Sequence, residues 1–284
     1  MGQKLIGGKN CLAGQGRKGQ NMKQDLQDAG KKELVLVEDI EKYYGTKENL
    51  TKAVNRISFA VNRGEFMGIM GASGSGKTTL LNLLATVDNV SSGHIYYGSQ
   101  DITALKEEEK ADFRKENLGF VFQDFNLLDT LTLGENISLA MALTKKSGRE
   151  IKKRTQDIMR SLGIEELKDK FPYQVSGGQR QRCACARALI NNPQLIFADE
   201  PTGALDSHSS RVLLETFTQM NQEMGATVFM VTHDAFSASY CSRILFLKDG
   251  EIFQELRKGR RTRKEFLNQI LDVLSLTGGE ANAE

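Results

Sequence analysis

The eight residues Gly71 to Thr78, GASGSGKT, stand between an apolar run, Phe66 to Met70, and a leucine-rich one, Leu80 to Leu84. A strand, a glycine-rich turn and a helix in that order make the setting in which backbone N–H groups converge on phosphate oxygens. Glycine is required because side chains would block the approach, and the following helix adds the positive end of its dipole. Lys77 then brings a compact charge to the outer phosphates, and the Thr78 hydroxyl is placed to ligate Mg²⁺ carried by the nucleotide. Gly71, Ala72, Ser73, Gly74, Ser75, Gly76, Lys77, Thr78 and Thr79 are the candidate cradle for a nucleoside triphosphate. A plain glycine-rich surface turn is the bland alternative, and it requires neither flank.

The 284 residues allow one large or two modest domains. Hydrophobic content of 39% and charged content of 26% are ordinary for a globular chain. The longest apolar runs, such as Ile137 to Leu143, are too short to cross a bilayer, so any membrane work is expected to go through a partner. No apolar segment follows the N-terminal lysines as a secretory signal would require, which predicts a cytoplasmic location. Cys183 and Cys185 lie two apart in an expected helix, and Cys11 and Cys241 are isolated, so neither a disulfide framework nor a zinc site is suggested. Residues 1–33 hold seven Lys/Arg against three Asp/Glu, and residues 257–284 hold six against four. With a net charge of only +2, the body between them is acidic, which argues against nucleic acid as a partner.

Residues 1–33, rich in Gly, Lys and Gln and without apolar periodicity, predict a disordered leader, with Met22 a candidate natural start. From Leu34 short strands (Leu34 to Val37, Ala53 to Val61) give way to alternating strand and helix, the pattern of an α/β fold around a mostly parallel sheet. Phe66–Met70, Gly119–Phe122, Leu195–Ala198 and Thr227–Val231 are the candidate inner strands. Between about 124 and 187 helical periodicity with lysine-rich faces replaces the strand signals and predicts an inserted helical subdomain. Lys-Asp-Gly-Glu between two apolar runs of Arg243 to Phe253 marks a hairpin.

Leu195 to Ala198 followed by Asp199-Glu200 is a buried strand ending in two carboxylates, the place where an α/β sheet presents chemistry. Strand alternation sends the pair to opposite sides, which assigns Asp199 to the metal and Glu200 to the attacking water as general base. A solvated acidic strand end is the alternative. Ser176-Gly177-Gly178-Gln179 lies 23 residues before Asp199 and opens an expected helix, Gln179 to Ile190, forming a second anion-binding helix N-terminus. On its own that string is also ordinary linker composition.

With these motifs in one chain, residues 34–256 resemble the ATP-binding cassette family of ATPases, VSGGQ standing where the family has its signature motif. The resemblance implies a P-loop NTPase (RecA-like) core with a mostly parallel sheet, an antiparallel β subdomain and the inserted helical subdomain. It implies ATP and Mg²⁺ as cofactors. Gln123 in VFQDFN matches the glutamine that links the metal site to the helical subdomain, and Ala204-Leu205-Asp206 matches the D-loop. His233 in VTHD matches the switch histidine near the γ-phosphate. Tyr44 matches the aromatic residue that stacks on adenine, with Tyr43 as the second candidate. In this family two ATPase domains face each other, each nucleotide held by one phosphate loop and the other chain's signature, so an ATP-dependent homodimer is expected.

MGASGSGKTTLLN, LGFVFQDFNLLDTLTLGENI, FADEPTGALDS and the tail LRKGRRTRKEFLNQI are similar to the subfamily of macrolide exporters and lipoprotein-release ATPases. Within it they are most similar to ATPase subunits of bacitracin-type antimicrobial-peptide resistance transporters. That implies a separate multi-span permease, peripheral attachment at the cytoplasmic membrane face, and often a sensor histidine kinase reached through the permease. Val175 departs from the usual leucine of the signature yet keeps an apolar anchor. A lipoprotein-release or cell-division ATPase is the nearest alternative. A soluble cassette protein acting on ribosomes or nucleic acid would carry long coiled coils or a second ATPase domain, and a P-loop kinase would have no use for Ser176–Gln179 or His233. The basic stretch Arg257 to Lys264 with Phe266, Leu267, Ile270, Leu271 and Leu274 at helical spacing has two readings: a surface for anionic lipid or permease, or a packed helix with a solvated basic face.

Overall fold

The chain enters its fold through two long strands, β1 (Glu33–Thr46) and β2 (Asn49–Asn62), before the apolar pentapeptide becomes β3 (Phe66–Met70), every residue of it buried. A computed structural model describes residues 33–46, 49–144, 146–203 and 205–278. The expected leader, with Cys11 and Met22, lies outside these residues apart from Glu33, and the folded unit begins at Leu34.

After β3 come α1 (Lys77–Leu84), β4 (Ser92–Tyr97), β5 (Gln100–Asp101), α2 (Glu107–Asn117) and β6 (Leu118–Phe122). Then follow α3 (Leu133–Ala142), α4 (Gly148–Ser161), α5 (Gly177–Leu189), β7 (Leu195–Asp199), α6 (Ser207–Gln222) and β8 (Val228–Val231). The last elements among the described residues are α7 (Ala235–Ala238), β9 (Arg243–Lys248), β10 (Glu251–Arg257) and α8 (Arg263–Gly278). One sheet has the order β10-β9-β3-β8-β7-β6, parallel throughout except for β10 at its edge. A second has the order β2-β1-β4-β5, with β4 antiparallel to both β1 and β5.

A strand buried on both faces needs a layer on each side, and side-chain alternation deals the residues of β3 to two cores. Phe66 and Met70 face the core built with α3, α4, α5 and α6, while Met67 and Ile69 face the one built with β1, β2, α1 and α2. Gly68 stands between them because Cys241 lies beneath it: a Cβ there would stand 2.9 Å from the Cys241 sulfur.

Several bounds differ from those the sequence suggests. β1 and β2 run past their apolar segments into polar, exposed ends, where backbone pairing holds the chain without side-chain alternation. β4 and β5 carry too little apolar pattern to announce themselves. α5 begins at Gly177 rather than Gln179, because Ser176 caps it by accepting from the Gln179 N–H while the Gln179 amide oxygen accepts from the Ser176 N–H. The stretch 124–187 contains helices and no strand among its described residues. The apolar side of the basic tail is packed: Phe266 and Ile270 are fully buried in the core, and the Arg263 guanidinium lies 4.4 Å from the Tyr240 ring centroid. Among the described residues no helix is long and apolar enough to cross a membrane.

Burial pushes the Cys183 and Cys185 thiols up to about 12, and pushes Cys241 up as well. With Cys11 replaced by Ser, a thiol-specific reagent at about pH 8 should therefore find nothing to modify in the folded chain and three thiols after denaturation. A fast-reacting thiol in the native protein would mean that one of these sites opens.

Candidate functional site

Four neighbouring parallel strands, β3, β8, β7 and β6, end at the same edge of the sheet, and each delivers candidate residues there. The loop 71–79 follows β3, His233 follows β8, Asp199 and Glu200 end β7, and Gln123 follows β6. This carboxyl edge is where open α/β sheets bind ligands.

The loop is squeezed between backbone segments. A Cβ on Gly71 would stand 2.3 Å from the Leu247 carbonyl oxygen, and one on Gly76, at φ +98°, would stand 2.3 Å from that of Ala53. Lys77, though buried, donates from Nζ to the Gly71 and Ala72 carbonyls at 2.9 and 2.7 Å, which holds its charge over the loop. No side chain caps the start of α1, so its first amide donors remain for an anion. The cleft, about 650 Å³, is lined by this loop with Ala53, Glu200 and His233. These residues fit a polyphosphate.

Asp199 and Glu200 are not separated by strand alternation as expected, because β7 ends at Asp199 and Glu200 already belongs to the turn that follows. Burial, and then the charge of Glu200, push the Asp199 carboxyl up, against the Thr78 hydroxyl and the Lys77 charge. Its Oδ1 is buried without a hydrogen-bond partner. A carboxylate oxygen kept from water beside a threonine hydroxyl suits a hard cation, and Thr78 and Asp199 are the residues that would hold Mg²⁺. Glu200 adopts a left-handed backbone, φ +43°, uncommon for a residue with a side chain. Its Oε2 lies 2.9 Å from His233 Nδ1. The turns carrying the two are tied together: Thr202 and Ser237 share a hydroxyl bond of 3.0 Å, and Asp234 caps α7 through the Phe236 and Ser237 amides.

Gln123 follows Phe122, the register partner of Asp199, and its amide rests against the turn after Glu200: a Cβ on Gly203 would stand 3.1 Å from Nε2. Tyr44 is exposed, donates to Asp88 Oδ2 at 2.6 Å, and its phenol meets the Thr79 hydroxyl at the loop's end. Tyr43 turns away to Glu41. The remaining candidates are not gathered into the cleft of their own chain. Ser176, Gly177, Gly178 and Gln179 open α5, with free space where the two glycines would carry a Cβ. Asp206 caps α6 by accepting from the His208 and Ser209 amides, and Ala204 lies outside the described residues.

Two contributors escape sequence reading. Ala53 offers only its backbone to the loop, so no side-chain pattern can mark it. Arg187, in α5, donates to the carbonyls of Phe125 and Asn126, two left-handed residues just after Gln123. Its signal is lost in a helix already rich in arginine.

A family model described as ABC transporter matches residues 54–203. The bacitracin export ATP-binding protein BceA of Halalkalibacterium halodurans is 50% identical over 86% of this chain and 96% of its own length. A macrolide export ATP-binding/permease protein of Mannheimia succiniciproducens is 39% identical over 79% of this chain and 35% of its own length. Among solved structures, the dimeric post-hydrolysis state of the ATP-binding cassette MJ0796 bound to ADP and Pi is 38% identical, with a TM-score of 0.69 over 79% of this chain and 98% of that one.

Gly76, which is tight, and Gly74, which is not, give a graded test. Gly76→Ala meets a carbonyl and a left-handed backbone together, so ATP affinity measured by equilibrium dialysis should fall about a hundredfold or more. Gly74→Ala shares the left-handed backbone but has open space around the new Cβ, and should lose much less. Equal losses would show that backbone conformation rather than close approach governs the loop.

Proposed function

The chain belongs to the ABC transporter family, and from that membership we propose that it hydrolyses ATP to drive a separate multi-span permease conferring resistance to peptide antibiotics of the bacitracin class. The 50% identity to a bacitracin export ATP-binding protein over nearly its whole length carries the finer part of this reading.

In this proposal Lys77 and the loop amides hold the outer phosphates, and Tyr44 supplies the ring for the base. Thr78, Asp199 and Gln123 would hold the Mg²⁺ that accompanies the nucleotide, which would supply charge neutralisation on the phosphates. Glu200 Oε accepts the proton of the attacking water, and His233, bonded to the same carboxylate, keeps it aimed into the cleft. Ser176 to Gln179 open a helix outside the lining of their own cleft, which suits them to close on the nucleotide of a second copy, and Asp206 is assigned to the same contact. The solved relative is dimeric, which supports this arrangement. The chain then works at the cytoplasmic membrane face, held there by its permease, which passes its state to a sensor histidine kinase.

Glu200→Gln should lower hydrolysis about a thousandfold, the scale of a lost general base, while leaving ATP binding and trapping an ATP-dependent dimer visible by size-exclusion chromatography. A variant that stays monomeric with ATP contradicts the paired arrangement. Isolating that variant with ATP from gently solubilised membranes should bring down a large permease and a histidine kinase. A lipoprotein-release or division permease would move the function within the transport class, and ribosomes would overturn it.

A further inference from the structure

Tyr44 does not stand alone. Its phenol donates to Asp88 Oδ2 at 2.6 Å, while Lys42 Nζ donates to Asp88 Oδ1 at 2.6 Å and to the Asn89 carbonyl at 2.8 Å. The same ammonium lies 4.9 Å from the centre of the Tyr44 ring. One ring face is thus covered by a cation whose position is fixed by two acceptors, and a base has only the other face to stack on.

Asp88 sits where the phosphate-loop helix ends. The amides of Val87 and Asp88 both donate to the Asn82 carbonyl, at 2.9 and 3.2 Å, closing the chain just beyond α1. That turn is braced from α2: Arg114 donates to the Thr86 carbonyl at 2.6 Å, and the buried Lys110 donates to the Asn89 amide oxygen. The eight residues of α1 span about 12 Å, a rigid spacer with the phosphate cradle at one end and the Asp88 turn at the other.

We infer that Asp88 is a positioning residue for nucleotide recognition: it anchors Tyr44 and Lys42 to the far end of α1, so that the base platform and the phosphate cradle are held at a fixed separation. The inference rests on reading Tyr44 as the surface on which adenine stacks. Its energetic logic is preorganisation. A ring on an unanchored strand end must be ordered when the nucleotide arrives, whereas this one is already held. The contribution falls on the base and leaves the phosphates untouched.

The test uses the full chain and two probes, ATP and inorganic tripolyphosphate, which has the phosphates without the base. Asp88→Ala should raise KM for ATP about fivefold or more, the scale of one or two net hydrogen bonds, with kcat unchanged and with inhibition by tripolyphosphate unchanged. Tyr44→Phe, a change that leaves packing intact, should reproduce part of the rise and add nothing to it in the double variant. If Asp88→Ala weakens ATP and tripolyphosphate alike, Asp88 merely supports the helix and the inference fails. It fails too if Tyr44→Ala raises KM for ATP while Asp88→Ala and Tyr44→Phe do not. If Tyr44→Ala leaves KM unchanged, the stacking role itself is wrong and the anchor falls with it.

Discussion

Backbone against backbone is the contact on which this molecule turns. The phosphate loop passes between the Ala53 carbonyl of β2 and the Leu247 carbonyl at the end of β9, at separations that admit no Cβ on Gly71 or Gly76. The hairpin beyond β9 closes the clamp, since Gly250 donates to the Ser75 carbonyl at 3.2 Å and accepts from the Asn55 amide at 2.8 Å. Two sheets therefore meet at the loop, and its shape is set by strands distant in sequence. Arg243 reinforces the junction from below: buried beside Glu65, with Nε 2.7 Å from its carboxylate, it also donates to the Ala60 carbonyl. A buried pair of this kind adds little net stability by itself. Its use here is to fix where β2, β3 and β9 lie relative to one another.

The rest of the site follows from strand order. Because β8 pairs with β3 and β7 pairs with β8, a histidine 162 positions from the loop's first glycine and two carboxylates between them in sequence arrive at the same edge. Parallel pairing makes this automatic, since every strand of the set delivers its carboxyl end to the same side. The left-handed Glu200 is where that regularity is broken: the chain turns sharply as it leaves β7, and the side chain swings to His233 instead of following the strand.

Much of this organisation is legible along the chain. The inner strands stand out because two-sided burial demands uninterrupted apolar residues, and the motif loops stand out because phosphate chemistry restricts which residues fit. The illegible parts share a different cause. β4 depends on backbone pairing with β1, far away in sequence, and the polar ends of β1 and β2 depend on backbone pairing with each other; such pairing leaves no side-chain period. The helix after the signature starts two residues earlier than its apolar pattern because a serine cap sets the boundary. Arg187 and Asp88 are the sharpest cases. Each acts on a segment many tens of residues away, one through carbonyl oxygens and the other through a phenol, and neither is distinguishable along the chain from other charged surface residues.

The grip of Arg187 on Phe125 and Asn126 has a mechanical side. An α-helix is stiff over such lengths, and the eleven positions from Ser176 to Arg187 span about 16 Å. If the left-handed turn after Gln123 rotates, the guanidinium hands that rotation to α5 near one end, and the free end sweeps through an arc. A tilt of about 10° about that fulcrum would carry Ser176 through about 3 Å, roughly the length of a hydrogen bond. A displacement too small to disturb the packing around the glutamine would thus be geared up into the difference between making and missing a contact at the far end of the helix.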